Sequence, residues 1–356
     1  MPRGDLNYAA CDACGFVFNQ AFEPELLTYD ARYNNAQTYS PLFDKYFSDF
    51  AHYIVFDKGV RNSRIVEVGC GNGLFLKRLV STEGAENTGY GFDPSYTGPE
   101  SDLGGRVKFD RRYYGPECAD IPADVVVCRH VIEHVPDSVG LLRAVRQALQ
   151  HSPHARVFFE TPDVTWILRN QVIWDLFYEH CSLFTPDSLT TAFEQAGFVV
   201  ERVRHVFGNQ YLWLEAIVGG NERPIHLHPD PIPTLAHQFT ASEAALRQEW
   251  EAKIRDLARA GKVALWGAGA KGVTLANLID RKQGMIDCVV DLNPAKQGGY
   301  VPGTGHPIID YREIPKRGVQ AAVVMNPNYT EEIVALLRDA GIPCKVVTEE
   351  HYEDHH

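Results

Sequence analysis

The chain contains no run of roughly 20 consecutive apolar residues, so nothing in it predicts a membrane-spanning helix. Its first residues, Met1-Pro2-Arg3-Gly4-Asp5, lack the apolar core of a secretory signal. Positive charge is in short supply: 34 Lys and Arg stand against 46 Asp and Glu, a net charge of −12. A surface of that sign repels phosphate backbones and argues against nucleic acid as a partner. Cysteine is sparse as well, with eight in 356 residues, and Cys70, Cys128 and Cys288 fall in or beside apolar runs. That usage excludes a disulfide scaffold and fits thiols kept reduced as small apolar residues. With 45% hydrophobic and 22% charged residues the chain is not disordered, and its length suits roughly two to three domains. The expectation is a soluble, cytoplasmic protein that acts on small molecules.

What is present is a repeated strand–helix alternation. Apolar runs at 64–68, 88–92, 123–128 and 155–160 are separated by amphipathic stretches of helical length, which predicts a parallel sheet with crossover helices. A second series begins at Lys262, with runs at 263–266, 286–291, 321–325 and 345–347. Between them, residues 219–233 carry four prolines and two glycines and read as a linker. A helix is expected from about Thr234 to Ala260, where Leu246, Trp250, Ile254 and Leu257 recur at helical spacing. The predicted fold is α/β: two tandem Rossmann-like domains with parallel sheets, plus a small N-terminal region. The boundaries are 1–60 for that region, 61–218 for the first domain, 219–260 for linker and helix, and 261–356 for the second.

Each series opens with a glycine loop. In Arg64-Ile-Val-Glu67-Val-Gly69-Cys70-Gly71-Asn72-Gly73, glycines follow a strand and precede a helix, so the backbone can approach a ligand closely. Asp93, 22 residues beyond Gly71, stands where an acid would hold ribose hydroxyls. In the second, Gly267-Ala268-Gly269-Ala270-Lys271-Gly272 has the dinucleotide fingerprint in its expected context, and Asp291 lies 22 residues beyond Gly269. Taken alone, the second loop reads as an NAD site, and an NAD-dependent oxidoreductase is a rival function. Lys271 within it, and Asn326 after the 321–325 run, are candidate substrate contacts, Lys271 for a phosphate.

Glu67 inside the strand, with Gly69, Gly71 and Gly73, resembles motif I of the class I S-adenosylmethionine-dependent methyltransferases. The resemblance implies that the glycines approach the methionine part, that Glu67 organises the loop and that Asp93 binds the ribose. Asp124-Val-Val-Val-Cys-Arg129-His130-Val-Ile-Glu-His134 looks like the segment whose following loop faces the methyl donor. It places Arg129 with the cofactor and His130 and His134 near the reaction. Phe177-Tyr178-Glu179-His180-Cys181-Ser182-Leu183-Phe184-Thr185 is similar to a segment of the nucleotide-sugar C-methyltransferases. That group has a zinc-binding N-terminal region, a methyltransferase domain and a C-terminal nucleotide-fold domain. Cys11-Asp-Ala-Cys14-Gly15 resembles half of its four-cysteine knuckle, and two thiolates cannot by themselves close a structural zinc site. The segment from Tyr33 to Ser40 looks like the lead into the cofactor domain, with Tyr33 and Tyr178 as substrate contacts. The group tends to carry an aromatic hydroxyl where this chain has Phe177, and His-Gly-Gly where it has Phe207-Gly208-Asn209.

Carbon methylation requires a proton to be removed beside a carbonyl, and histidine is the natural base near neutral pH. His180, assisted by Glu179, is the expected base. The expected reaction is C-methylation of a nucleotide-linked keto-sugar or similar small metabolite, with O- or N-methylation on the same scaffold as the alternative.

Overall fold

The computed structural model describes residues 4–27, 37–220 and 231–348; Tyr33, most of the 219–233 segment and the polar end beyond Thr348 lie outside them. The chain opens with a hairpin of β1 (Tyr8–Ala10) and β2 (Val17–Asn19). Helix α1 (Pro41–His52) begins at Ser40, whose hydroxyl accepts from the Phe43 amide at 3.2 Å, with Pro41 in the first turn. Phe43, Phe47, Phe50 and Ala51 recur at helical spacing and are buried against the central sheet with Ile54, Ile65, Val125 and Phe158. Each of these Phe, Ile and Val side chains contributes roughly 1.5–3 kcal/mol on leaving water, and Ala51 less.

The central sheet comprises β3 (Arg64–Val68), β4 (Thr88–Phe92), β5 (Ser101–Asp102), β6 (Val107–Asp110), β7 (Val125–Arg129) and β8 (Arg156–Pro162). β9 (Ser182–Leu183) leaves it to pair with β2, and β10 (Phe198–Val206) and β11 (Tyr211–Val218) return to its edge. The order is β10-β11-β8-β7-β3-β4-β6-β5. β8, β7, β3, β4 and β6 run parallel, whereas β10, β11 and β5 add antiparallel pairs. From β3 the chain first moves outward through β4 and β6, then crosses back to β7. The strand order therefore reverses between β3 and β7, where open α/β sheets bind ligands at the strands' carboxyl ends.

The second sheet repeats the plan. Its strands are β12 (Lys262–Trp266), β13 (Ile286–Val290), β14 (Ile308–Ile309), β15 (Val319–Val324) and β16 (Lys345–Val347). They are all parallel in the order β14-β13-β12-β15-β16, so the reversal lies between β12 and β15. The long helix Ile232–Ala260 packs beside this sheet and buries Trp250 edge-on against Trp174, ring centroids 5.0 Å apart. Val164, Trp174, Trp250, Leu265 and Leu275 share one core, which continues from the 164–183 segment into the second sheet.

Candidate active site

At the end of β3 the chain turns through Gly69, Gly71 and Gly73, all with positive φ, into the helix Leu74–Ser81. Gly71, at φ +53°, has nothing within 4 Å of the place a Cβ would take. It borders the cavity described below, so the room kept open there suits a bound ligand. The Gly71 amide donates to Asp93 Oδ2 at 2.8 Å, and the Ser95 amide and hydroxyl donate to Oδ1 at 2.7 and 2.6 Å. Asp93 is thus fixed at the end of β4 beside the loop. Glu67, buried in β3, accepts from the Leu76 amide at 3.1 Å, and burial pushes its carboxyl up to about 8. These residues fit S-adenosylmethionine: an oriented acid for the ribose, and a glycine turn that admits the amino-acid end.

Behind the loop lies a buried charged cluster. Arg129, the last residue of β7, donates from Nη2 to Glu160 Oε1 at 2.9 Å and packs between the rings of Phe47 and Phe75. Tyr46 donates to Glu160 Oε2 at 2.6 Å. His130, at φ +54°, places Nδ1 3.3 Å from Glu133 Oε1 and Nε2 2.7 Å from Glu160 Oε1. Burial disfavours the charge on His130, but the two carboxylates outweigh it and raise the imidazole to about 9. Glu160 is likewise opposed by burial, yet Arg129, His130 and Tyr46 hold it down at about 2. Arg129 and His130 border the cavity, but their charges are spent on Glu160 and Glu133. Glu160 and Tyr46 escaped the sequence reading because they are 114 residues apart, and Glu133 because its contact with Thr161 spans 28.

Two histidines meet on the wall of the same cavity. His134 lies in the turn Ile132–His134 after β7, and His180 in the loop before β9; their rings meet edge to face at 4.9 Å. His134 Nδ1 stands 2.9 Å from the Glu179 carbonyl oxygen. A carbonyl only accepts, so Nδ1 carries a proton in this contact. Burial, then the charges of His134, His130 and Lys271, holds His180 well below the usual histidine range. The carboxylate within 4.8 Å of both imidazoles is that of Glu133. Glu179, the expected assistant of His180, meets His134 through its backbone carbonyl.

The N-terminal hairpin holds this loop in place. β2 pairs with β9, the Asn19 amide donates to the Cys181 carbonyl at 2.9 Å, and Tyr8 OH donates to the carbonyls of His180 and Phe177 at 2.9 and 3.1 Å. Tyr178 belongs to the same clasp. Its hydroxyl accepts from the Glu23 amide at 2.8 Å and its ring packs on Phe22, which lines the cavity. Phe177 lines the cavity instead and lies 4.0 Å, ring to ring, from His180. Cys11 and Cys14 sit in the turn of the hairpin, closed by the Gly15 amide donating to the Cys11 carbonyl at 2.9 Å. Among the described residues no further Cys, His, Asp or Glu joins them in a group of three.

The second glycine loop mirrors the first. Gly267, at φ +107°, follows β12, and the Ala268 amide donates to Asp291 Oδ2 at 2.7 Å. A Cβ on Gly272 would fall 1.9 Å from the Gly267 carbonyl oxygen, so helix and loop pack closer than any other residue allows. Lys271 reaches across to Asp175 Oδ2 at 2.6 Å, and Asn326 exchanges two amide hydrogen bonds with Gln210, both 2.9 Å. Both predicted contacts thus tie the second sheet to the first while bordering the cavity.

That cavity, about 820 Å³, unites the parts. Gly69, Gly71, Asp93, His134 and His180 line one side, and Gly267, Gly269, Lys271 and Asp291 the other, with Phe22 and Leu27 from the N-terminal region. It is large enough to enclose a small-molecule ligand.

Comparison with known proteins agrees with this geometry. Residues 41–203 match the family described as methyltransferase domain, and residues 232–341 the C-methyltransferase C-terminal domain. The ubiquinone biosynthesis O-methyltransferases of Yersinia enterocolitica and Yersinia pestis are each 33% identical over 125 residues, covering 33% of this chain and 47% of the relative. The chain thus spans about half the length of these curated relatives. Among solved structures, an O-methyltransferase family protein from Burkholderia thailandensis aligns with a TM-score of 0.40 at 16% identity, covering 51% of this chain and 57% of that one. The 1,6-didemethyltoxoflavin-N1-methyltransferase of the same organism, bound to 1,6-didemethyltoxoflavin and S-adenosylhomocysteine, aligns at 0.38 and 15%, covering 50% and 80%. By the two family matches, the central sheet carries a class I S-adenosylmethionine-dependent methyltransferase domain, and the five-stranded sheet belongs to a C-methyltransferase C-terminal domain.

Proposed function

We propose that this chain methylates a carbon of a nucleotide-linked keto-sugar or a similar small metabolite. The observation that carries the reading is the single cavity onto which both glycine loops open, with His134 and His180 on its wall. One loop serves the cofactor, and the other is suited to the diphosphate of the acceptor through the N-terminus of the helix Ala270–Ile279 and Lys271. S-adenosylmethionine, when bound, supplies an electrophilic methyl group. Burial keeps His180 neutral, the form that can take a proton from the carbon beside the acceptor's carbonyl. His134 packs edge to face on that imidazole, the Glu133 carboxylate lies within 4.8 Å of it, and the hairpin contacts at Phe177 and His180 hold its backbone. Positioning within an enclosed cavity supplies the rest of the acceleration.

The test is a thermal-shift comparison of the full chain with S-adenosylhomocysteine, a nucleoside diphosphate and NAD. A ligand at about 100 times its dissociation constant stabilises by about 2.7 kcal/mol. Stabilisation by the first two and not by NAD is the expected pattern; stabilisation by NAD alone points to the oxidoreductase. The O-methyltransferase relatives favour a second reading, in which His180 deprotonates a hydroxyl. Proton exchange at the acceptor carbon, considered below, distinguishes the two.

A further inference from the structure

We propose that Glu133, His134 and His180 form a binding site for one divalent transition-metal cation of the zinc class. One ligand atom from each lies within 4.8 Å of the others, before any adjustment to a bound ion. Each is already oriented. Glu133 Oε2 accepts from Thr161 Oγ1 at 3.0 Å, and His134 Nδ1 stands 2.9 Å from the Glu179 carbonyl oxygen. His180 Nδ1 is buried without a hydrogen-bond partner, a state that buried polar atoms rarely keep. Carbonyl and hydroxyl groups behind the ligands are the usual support of a metal-binding histidine and carboxylate. Two imidazoles and one carboxylate suit zinc, cobalt(II) or iron(II) better than magnesium or calcium. Three protein ligands leave a fourth position, and His134 and His180 both line the cavity, so that position faces it. Of the neighbouring cations, Lys271 is paired with Asp175, whereas His130 is shared between Glu160 at 2.7 Å and Glu133 at 3.3 Å, so a metal ion on Glu133 competes with His130 for Oε1.

The site has a consequence that rests on the proposed function. A neutral imidazole has one lone pair, so a cation held by His180 occupies the electrons needed to accept a proton. Zinc is then an inhibitor of methyl transfer. Cobalt(II) titration of the full chain, followed by visible absorption, tests the binding. One cobalt per chain with a ligand-field band, displaced by zinc, is expected, and Glu133→Gln and His134→Asn should abolish it. Thr161→Val, outside the ligand set, should weaken cobalt binding by about 10–100-fold and covers the case in which a ligand variant misfolds. Calorimetry with S-adenosylhomocysteine checks folding. Cys11, Cys14 and the terminal histidines are common to every variant, so the difference spectrum isolates the site. The same band in wild type and all three variants, or no band at all, overturns the proposal. Cobalt bound at the site without inhibition of transfer by zinc supports the site and counts against His180 as the base.

Discussion

Asp93 and Asp291 hold equivalent places in two separate sheets. Each follows the strand after its glycine loop, and each accepts a loop amide, from Gly71 at 2.8 Å and from Ala268 at 2.7 Å. The equivalence extends to the amide two residues on, which donates to Oδ1 from Ser95 at 2.7 Å and from Asn293 at 2.8 Å. It ends at Lys296, whose Nζ lies 3.9 Å from Asp291 Oδ2. A nearby cation weakens the case for Asp291 as an acceptor of ribose hydroxyls and favours a more anionic ligand in the second crevice.

Asp93→Ala is expected to weaken S-adenosylhomocysteine binding by about 1.5–3 kcal/mol, the worth of a charge-assisted hydrogen bond. Isothermal calorimetry measures it. Unchanged affinity removes Asp93 from the cofactor site.

His180→Asn should bind S-adenosylhomocysteine as wild type does and lose roughly 10²–10⁴-fold in turnover. In deuterated water the wild type should exchange the acceptor's α-proton and the variant should not. Turnover without exchange in wild type would instead favour a hydroxyl acceptor.

Glu67 makes stability depend on pH. Its carboxyl rises from near 4.5 to about 8 on folding, so the folded chain holds a proton that the unfolded chain has released. Between those values Glu67 lowers stability as pH rises, and the effect levels off above pH 8. Glu67→Gln should flatten that decline in a series of chemical unfolding curves; an identical slope would show that Glu67 is ionised when folded.

Gly272→Ala forces a Cβ against the Gly267 carbonyl oxygen. It is expected to cost about 1–3 kcal/mol of stability and to reduce the thermal response to nucleoside diphosphate, with S-adenosylhomocysteine affinity unchanged. A loss confined to S-adenosylhomocysteine would assign the cofactor to the wrong loop.

Much of this was legible in the sequence where local chemistry decides. Continuous apolar runs became the parallel strands, and glycine spacing located both turns because only glycine takes those conformations cheaply. β10 was not read, since Glu201, Arg202, Arg204 and His205 break its apolar pattern on a solvent-facing edge. Glu133 and Glu160 were missed for another reason: a buried acid is recognisable only once Thr161, Arg129 and Tyr46 surround it. Neighbours in a loop face different ways, which sequence does not show: Phe177 lines the cavity, while Tyr178 meets Phe22 and Glu23.

The pairing of Phe18 with Ser182 also bears on how the chain is made. The hairpin leaves the ribosome first, but the strand that completes its sheet is synthesised about 160 residues later. Closing so long a loop is slow compared with local contacts. The hairpin must therefore wait for the central sheet, and the loop bearing His180 gains its final shape late in maturation. Exchanging the acceptor specificity of such a protein by grafting is thus a two-piece operation: hairpin and loop have to travel together.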